Sequence, residues 1–410
     1  MRRAAALASA LATFSLRDGP STSRADASAS TARPRDAEAL LRAHVIFRHG
    51  ERTPLALAST VDHSAWSSRV ASTANASWTR AGRGREDVGK GAAGALTTRG
   101  AASAATLGEE LIRERLIERE GLLSSDFTVA MRNGEVRARA TGASRCVATC
   151  AMVVLGGWAD AADGSDVLEI EVREKERETM FPKPGNACEA LNDFFDSRRA
   201  SEAAEDEEIF SRRGFEAVAA FRDALTGGRP EGRPAGLSHV WDPLQCMVSH
   251  DMPLPRGVTV EHVRELTRLM ERRYFDAFRA SEAHGNLIGT SLLREIADEL
   301  VPESDSAYKL ALYAGHDSTI ISLFAALGEP AFASLREWPR VTSALVFETW
   351  RMRDGSVGVR AVYNGEPILL TSGSRKSDGL TPYDEFMSFV KSREPPTGFA
   401  ATCASPRSKL

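Results

Sequence analysis

The chain has 410 residues, of which 42% are apolar and 26% are charged, and its net charge is −4. This balance is ordinary for a globular protein, and it lacks the basic surface that nucleic-acid binding requires. No stretch approaches the roughly 18 apolar residues of a membrane-spanning helix, and five cysteines at irregular spacing argue against a dense disulfide framework.

Both ends of the chain carry candidate targeting signals. Residues 1–36 are rich in Ala, Ser and Arg and poor in acidic residues, which is typical of a disordered tail or an organellar transit peptide. The chain ends in Ser408-Lys409-Leu410, a peroxisomal address. We favour the C-terminal signal and expect a peroxisomal protein, with mitochondrial or other organellar targeting through the N-terminal segment as the alternative.

The first strong element is an apolar run that ends in a cluster of cations. Residues 45–47 have the pattern of a buried strand, and Arg48, His49 and Arg52 follow within one short turn. Guanidinium groups bind phosphate oxygens in a planar, bidentate manner, and a histidine among them can act as a nucleophile. Neighbouring cations disfavour the imidazolium form, so His49 should stay neutral below its reference pKa of about 6.5. We therefore predict phosphoryl transfer through a phosphohistidine, without a metal or another cofactor.

Gly50 within this loop also has a predicted role. A residue without a side chain lets the backbone turn sharply where a larger residue would obstruct the substrate. We expect Gly50 to keep the approach to His49 open for this reason.

The next elements alternate between loop, helix and strand. Residues 56–95 are rich in Gly, Ser and Ala and indicate a long irregular loop. A helix capped by Thr97 or Thr98 is predicted to run to residue 119. A strand is expected over residues 127–140, followed by a largely apolar, buried helix over residues 144–158.

The middle of the chain changes to helical periods with charged faces, from residue 189 to residue 300. A buried strand then spans residues 310–314, and His316 and Asp317 follow it directly. Further elements are predicted as a helix at 320–327 and strands at 346–350 and 357–363.

Strands that alternate with helices on both sides of a helical block predict an α/β fold. We expect a tail at 1–36, an α/β catalytic core at 37–165 and 301–395, a mainly helical cap insertion at 166–300, and a flexible C-terminal tail at 396–410. Ligands of open α/β sheets bind beyond the carboxyl ends of strands. The clusters at His49 and His316 should therefore converge on one site.

The second cluster supplies the groups that the first one lacks. A leaving alkoxide needs a proton, and Asp317 is the candidate general acid. His316 beside it can donate a hydrogen bond to the phosphoryl group. A further His-Asp pair, His250-Asp251, does not follow a buried strand, and we interpret it as part of the insertion with some potential to line the substrate site.

Four motifs, in this order along the chain, resemble those of the histidine acid phosphatase family, branch 2 of the phosphoglycerate mutase-like superfamily. They are Arg48-His49-Gly50-x-Arg52-x-Pro54, Gly94-Ala-Leu96-Thr97-Thr-Arg-Gly100, Arg139-Ala-Thr141-Gly-Ala-Ser-Arg145 and His316-Asp317. The resemblance implies a three-layer core around a central mixed, mostly parallel sheet with a helical insertion. It also implies that His49 is phosphorylated, that Asp317 protonates the leaving group, and that the phosphate is bound by Arg48, Arg52, Arg145 and His316.

Within that family the chain most resembles the lysophosphatidic acid phosphatase type, through residues 309–317, Trp338-Pro339 and residues 378–384. It departs from the pattern at three positions. Cys146 stands where many relatives have Thr, Gly142 where they have Asp or Asn, and Thr381 where this type often has Cys. The last departure argues against a disulfide at that position.

We therefore predict a hydrolase that acts on a small-molecule phosphate monoester. Two other enzymes of the same fold are alternatives, a phytase-like inositol phosphatase and a phosphomutase, and so is a non-catalytic phosphoryl-binding scaffold. A Gly-rich stretch at residues 84–91 imitates a nucleotide-binding P-loop, but Gly91 replaces the hydroxyl residue that would hold Mg²⁺.

Overall fold

A nine-stranded mixed sheet forms the centre of the computed structural model, which describes residues 32–55, 63–71, 79–81, 93–162, 166–182, 188–226, 234–279, 287–300 and 308–404. Three features predicted from the sequence lie outside these residues. They are the N-terminal targeting segment up to residue 31, the P-loop-like stretch at 84–91, and the C-terminal Ser408-Lys409-Leu410.

The strands are β1 (Ala37–Arg48), β2 (Thr79–Ala81), β3 (Val136–Ala140), β4 (Leu168–Val172), β5 (Leu310–Gly315), β6 (Ala344–Met352), β7 (Val357–Tyr363), β8 (Glu366–Ile368) and β9 (Thr381–Pro382). Their order is β2-β4-β3-β5-β1-β6-β7-β8, and β9 also pairs with β7. Strands β2, β4, β3, β5 and β1 are parallel, whereas β6 to β9 pair antiparallel. The prediction of an α/β fold around a mixed sheet is confirmed.

The helices are α1 (His63–Ser67), α2 (Thr98–Gly108), α3 (Phe127–Arg132), α4 (Ser144–Gly157), α5 (Glu189–Phe210), α6 (Glu216–Thr226), α7 (Leu237–Ser249), α8 (Val260–Arg279), α9 (Thr290–Glu299), α10 (Asp317–Leu327), α11 (Tyr383–Ser392) and α12 (Phe399–Cys403). Helix α2 continues as a π-helix over Glu109–Arg119, and short 3₁₀ turns lie at Ala159–Ala162, Lys175–Arg177 and Ala331–Ser334. Within the described ranges, no helix combines the length and the apolar character that crossing a bilayer demands.

The two faces of the sheet bury separate hydrophobic clusters, because successive side chains of a strand point to opposite faces. Ile46 and Tyr313 belong to a cluster on one face that includes helices α9 and α10 and extends into the insertion helices. Val45 and Leu312 pack with α2 and α4 on the other face. The result is three layers with the sheet in the middle.

The strand predicted over residues 127–140 is wrong in its first half, which forms helix α3. Asp126 caps this helix, since its side chain accepts a hydrogen bond from the Val129 N–H at 2.9 Å. Gly134 then turns the chain into β3 with a φ of 64°. The alternating pattern was too short to distinguish one helical turn from a strand.

The predicted boundaries of the insertion, 166 and 300, need correction. Strand β4 lies beyond residue 165 but pairs with β3 in the core sheet. Helix α9 also belongs to the core, because Glu299 forms an ion pair with Arg137 of β3 and accepts a hydrogen bond from the Tyr313 hydroxyl at 2.9 Å. Strand pairing and a partly exposed ion pair join these segments to the core, and neither leaves a local pattern in the sequence.

The C-terminal tail predicted over 396–410 is also wrong for its first part. Residues 399–403 form helix α12, and Cys403 is buried in a disulfide with Cys188 at the start of α5. The two cysteines are 215 residues apart, so their spacing carried no signal of the pairing.

Candidate active site

Three neighbouring parallel strands, β3, β5 and β1, end side by side at one edge of the sheet. Arg48 pairs with Gly315, and Ala140 pairs with Ala314, so the residues that follow these strands are neighbours in space. Helices α4 and α10 begin at the same edge, where the positive ends of their dipoles favour an anion. The structure brings together all six residues predicted for the site: Arg48, His49, Arg52, Arg145, His316 and Asp317.

His49 is held as a neutral imidazole with one nitrogen committed to the backbone. It is 2% exposed, and its Nδ1 lies 2.8 Å from the Gly50 carbonyl oxygen. Because a carbonyl can only accept, Nδ1 carries the proton and Nε2 keeps its lone pair. Burial, followed by the charges of Arg145 and Arg48, lowers the pKa of His49 well below its usual value. The nucleophilic form therefore persists at acidic pH.

The loop after β1 passes very close to the start of α2, and glycine is required on both sides of the contact. A Cβ atom on Gly50 would overlap the backbone of Gly100, and one on Gly100 would overlap the backbone of Glu51. The Gly50 N–H also donates to the Thr149 hydroxyl of α4 at 3.1 Å. Gly50 therefore allows the backbones of the two segments to cross closely, whereas we had expected it to keep the approach of the substrate open.

Two of the arginines already hold carboxylates. Arg48 donates to the Pro339 carbonyl at 2.6 Å and pairs with Asp317 at 2.9 Å. Arg52 pairs with Asp242 at 2.5 Å. The Nε atoms of Arg48 and Arg52 are buried without a hydrogen-bond partner among the described residues. Both guanidinium groups therefore keep a donor that suits an anionic oxygen.

His316 lies edge-on to His49, with the ring centres 5.6 Å apart. Its Nδ1 is 3.4 Å from Arg145 Nη2 and its Nε2 is 3.0 Å from the Thr141 hydroxyl. A guanidinium only donates, so Nδ1 accepts and Nε2 donates to Thr141. Burial, followed by the charge of Arg145, holds the pKa of His316 well below its usual value. His316 therefore orients Arg145 here, and donating to a phosphoryl group would require a change of partner. Phe181 stacks on its other face at 5.3 Å.

Asp317 is the first residue of α10 and is surrounded by donors. Its Oδ2 accepts from Trp338 Nε1 at 3.0 Å and faces Arg48, while its Oδ1 accepts from the Ser318 N–H at 2.8 Å. Burial alone would raise the pKa of Asp317, but Arg48, His316 and the Trp338 hydrogen bond outweigh it and hold that pKa below its usual value. The carboxyl is thus ionised while Arg48 is its partner.

The insertion contributes contacts that the sequence had not identified. Asp242 of α7 pairs with Arg52 and also accepts from the Leu55 N–H at 2.8 Å. Trp241, the preceding residue, packs against Trp338 with the ring centres 5.1 Å apart. The sequence did contain a signal for Trp338, because Trp338-Pro339 is one of the segments that resemble the lysophosphatidic acid phosphatase type. For Asp242 there was none, because its partner lies 190 residues away in the chain.

The second His-Asp pair lies at the end of α7, where it contacts the start of α2. His250 Nε2 is 3.0 Å from the Thr97 hydroxyl, and its ring contacts Trp66 edge-on at 5.2 Å. Asp251 forms an exposed ion pair with Arg99 at 2.8 Å. The pair ties the insertion to the start of α2, as expected of insertion structure.

A buried histidine, three arginines and an aspartate thus lie at one sheet edge. The sequence that carries them matches a known family. The family model described as histidine phosphatase superfamily (branch 2) matches residues 39–228 and 238–364. The chain belongs to this family. Human testicular acid phosphatase is 28% identical over 297 residues, which cover 69% of this chain and 62% of that protein. Bovine lysosomal acid phosphatase is 28% identical over 133 residues, 31% of this chain and 30% of that protein.

Solved structures of this histidine phosphatase fold superpose over most of the chain. The phytase from Citrobacter braakii has a TM-score of 0.57 at 19% identity and covers 90% of this chain and 100% of its own. The multiple inositol polyphosphate phosphatase from Bifidobacterium longum, in complex with inositol hexasulfate, has a TM-score of 0.60 at 12% identity, with 90% and 95% coverage. At these identities the likeness establishes the fold.

Proposed function

We propose that the protein is a metal-independent phosphomonoesterase that hydrolyses its substrate through a phosphohistidine at His49. The observation that carries this proposal is the state of His49, whose Nδ1 is tied to the Gly50 carbonyl and whose buried ring feels the charges of Arg145, Arg48 and Arg52. A neutral nitrogen lone pair beside fixed guanidinium groups is the arrangement that attack on a phosphoryl group requires.

In the first step the arginines bind the phosphate oxygens and Nε2 of His49 attacks phosphorus. The N–P bond forms as the P–O bond to the leaving group breaks, and the proton of the Asp317 carboxylic acid passes to the leaving oxygen. In the second step water attacks phosphorus, its proton returns to Asp317, and the N–P bond breaks to release inorganic phosphate and neutral His49. Every group in this cycle belongs to the described site.

Substrate binding itself supplies the protonated form of Asp317. A phosphate that recruits Arg48 weakens the ion pair that keeps this carboxyl ionised, and its negative charge adds to the effect. Both changes raise the pKa of Asp317 towards the working pH. Together with the low pKa values of His49 and His316, this favours turnover under acidic conditions.

Trapping tests the covalent step directly. Mixing the protein with a ³²P-labelled ester and quenching at alkaline pH, where phosphohistidine is stable, should leave label on His49. The His49→Ala variant should retain no label, and its turnover should fall by at least about 10³-fold because the nucleophile is gone. EDTA should leave the wild-type rate unchanged. Activity that disappears with EDTA and returns with a divalent ion would contradict the mechanism.

We further propose that the leaving group is apolar, as in lysophosphatidate. Phe181 stacks on His316 and is only partly buried, and Leu55 beside Arg52 is 54% exposed. Leu55 and Arg145 flank the same residue, Gly94. Two apolar side chains therefore border the phosphate-binding residues, where they could cover an alkyl chain.

A substrate panel separates this proposal from its rivals. Lysophosphatidate should exceed glycerol 3-phosphate, sugar phosphates, nucleotides and inositol hexakisphosphate in kcat/KM. Phe181→Ala should lower kcat/KM for lysophosphatidate by about tenfold, the equivalent of 1.4 kcal/mol of lost contact, and leave glycerol 3-phosphate nearly unchanged. A preference for inositol hexakisphosphate would instead favour a phytase-like enzyme.

A further inference from the structure

Arg52 is held in place chiefly by the insertion. Its Nη1 donates to the Thr53 carbonyl of its own loop at 3.1 Å and lies 3.7 Å from Cys246 Sγ. Its Nη2 pairs with Asp242 Oδ1 at 2.5 Å, and the other oxygen of Asp242 accepts from the Leu55 N–H at 2.8 Å. One carboxylate, 9% exposed, thus holds both the guanidinium and the backbone of the loop that carries it.

Arg48 differs in this respect. Its two partners, the Pro339 carbonyl and Asp317, both follow strands or turns of the core. Asp317 is itself part of the chemistry, so a phosphate must compete with it for Arg48. Asp242 has no role in the proposed chemistry, and it can therefore stay on Arg52 while the Nε–H of Arg52, which has no partner among the described residues, remains available to the phosphate.

Helix α7 is anchored independently of Arg52. Trp241 packs on Trp338 at 5.1 Å and donates to the Thr267 hydroxyl of α8 at 2.9 Å. At the other end of the helix, His250 lies 3.0 Å from the Thr97 hydroxyl. Contacts on both sides of Asp242 thus define its position before any ligand binds, which is the requirement for preorganising a guanidinium.

We propose that Asp242 is a positioning residue, which holds the Arg52 guanidinium in the orientation that binds the phosphoryl group. This proposal rests on the proposed function and adds a residue of the insertion to it. In this proposal Asp242 affects phosphate binding through Arg52 and is not itself a ligand of the phosphoryl group.

A double-mutant cycle tests this dependence. Asp242→Asn keeps the size of the side chain and one hydrogen-bond acceptor but loses the charge. We expect it to lower kcat with 4-nitrophenyl phosphate about tenfold and to weaken the binding of inorganic phosphate about tenfold. This is the effect of losing one charge-assisted hydrogen bond. In an Arg52→Gln background the same change should alter both values by less than about twofold. Glu207→Gln controls for the loss of an insertion ion pair as such, because Glu207 pairs with Arg222 at 2.5 Å, although its side chain is more exposed than that of Asp242. It should alter neither value.

Two results would overturn the proposal. If Asp242→Asn lowered kcat and phosphate binding equally in the wild-type and Arg52→Gln backgrounds, Asp242 would only hold the loop. If Asp242→Asn bound phosphate more tightly than the wild type, the charge of Asp242 would oppose the ligand. If Asp242→Asn fails to fold, Asp242→Glu carries the same cycle, since it keeps the carboxylate and displaces it by one methylene. Phosphate binding measured by calorimetry needs no turnover, so it tests positioning even if the wild-type protein hydrolyses no ester.

Discussion

The sheet edge and the insertion contribute to one site in different ways. At the sheet edge, the backbone register of β1 and β5 places His49, His316 and Asp317, each within two residues of a strand end. From the insertion, Asp242 and Trp241 reach the same site as side chains of a helix packed across it. Short-range backbone geometry therefore places the proposed reacting groups, whereas part of their alignment depends on long-range packing.

The largest effect should come from the sheet edge. Asp317→Asn removes the proton donor, and we expect kcat for an alkyl phosphate to fall by about 10² to 10⁴-fold. 4-Nitrophenyl phosphate should suffer much less, because its leaving phenolate needs little protonation. Steady-state kinetics with both esters measure the contrast. If kcat fell equally for both esters, Asp317 would act by positioning Arg48 and not as the proton donor. The sheet edge would then contribute alignment as well as reacting groups.

We expect the second largest effect on activity from the close contact between the backbones of Gly100 and the His49 loop. Gly100→Ala forces the His49 loop away from α2, so we expect about 1–3 kcal/mol of lost stability together with a fall in kcat. Gly156→Ala is the matched control, since its Cβ would overlap the backbone of Ala105 away from the loop. It should destabilise similarly in urea unfolding and leave the kinetics nearly intact. If kcat fell equally in Gly100→Ala and Gly156→Ala, the loss of activity would not be specific to the contact with the His49 loop.

A buried histidine in the middle of β1, His44, can be compared with His49 just beyond its end, the proposed nucleophile. Burial, followed by Arg42 and Arg137, lowers the pKa of His44 to about 3. Between the unfolded value of about 6.5 and that pKa, the unfolded chain binds a proton that the folded chain does not, so stability falls as the pH falls. His44→Gln should reduce this slope by up to about 1.4 kcal/mol per pH unit between pH 4 and 6. Urea unfolding across this range measures it, and an unchanged slope would contradict the assignment.

The smallest effect concerns the contact between the two regions. Trp338→Phe keeps the packing against Trp241 but removes the hydrogen bond to Asp317, one of the contacts that lower the pKa of this carboxyl. The pKa of Asp317 should rise, and the alkaline limb of the kcat/KM profile should move up by about half a pH unit to one unit. A limb that moves to lower pH, or stays in place, would show that Trp338 acts by packing alone.

Much of the site could be predicted from local patterns because its chemistry lies in contiguous segments. The apolar run before Arg48 and the one before His316 each indicated a buried strand, and parallel strands bring their carboxyl ends to one edge. The helix over residues 127–132 was missed because a single capped turn has too few residues to show a helical period. Gly50 was identified but explained wrongly, since the backbone that it approaches belongs to a separate motif around Gly100.

Local patterns in the chain predicted the α/β fold and the strand ends that carry Arg48, His49, His316 and Asp317, because strand periodicity is a property of neighbouring residues. The resemblance of the motifs to a family added Arg145. The partners of these residues became visible in the packed fold alone. The Arg52–Asp242 pair spans 190 residues and the Cys188–Cys403 disulfide spans 215. Pairs at such separations form when packed layers bring their elements together, and no local pattern in the chain records which elements will meet.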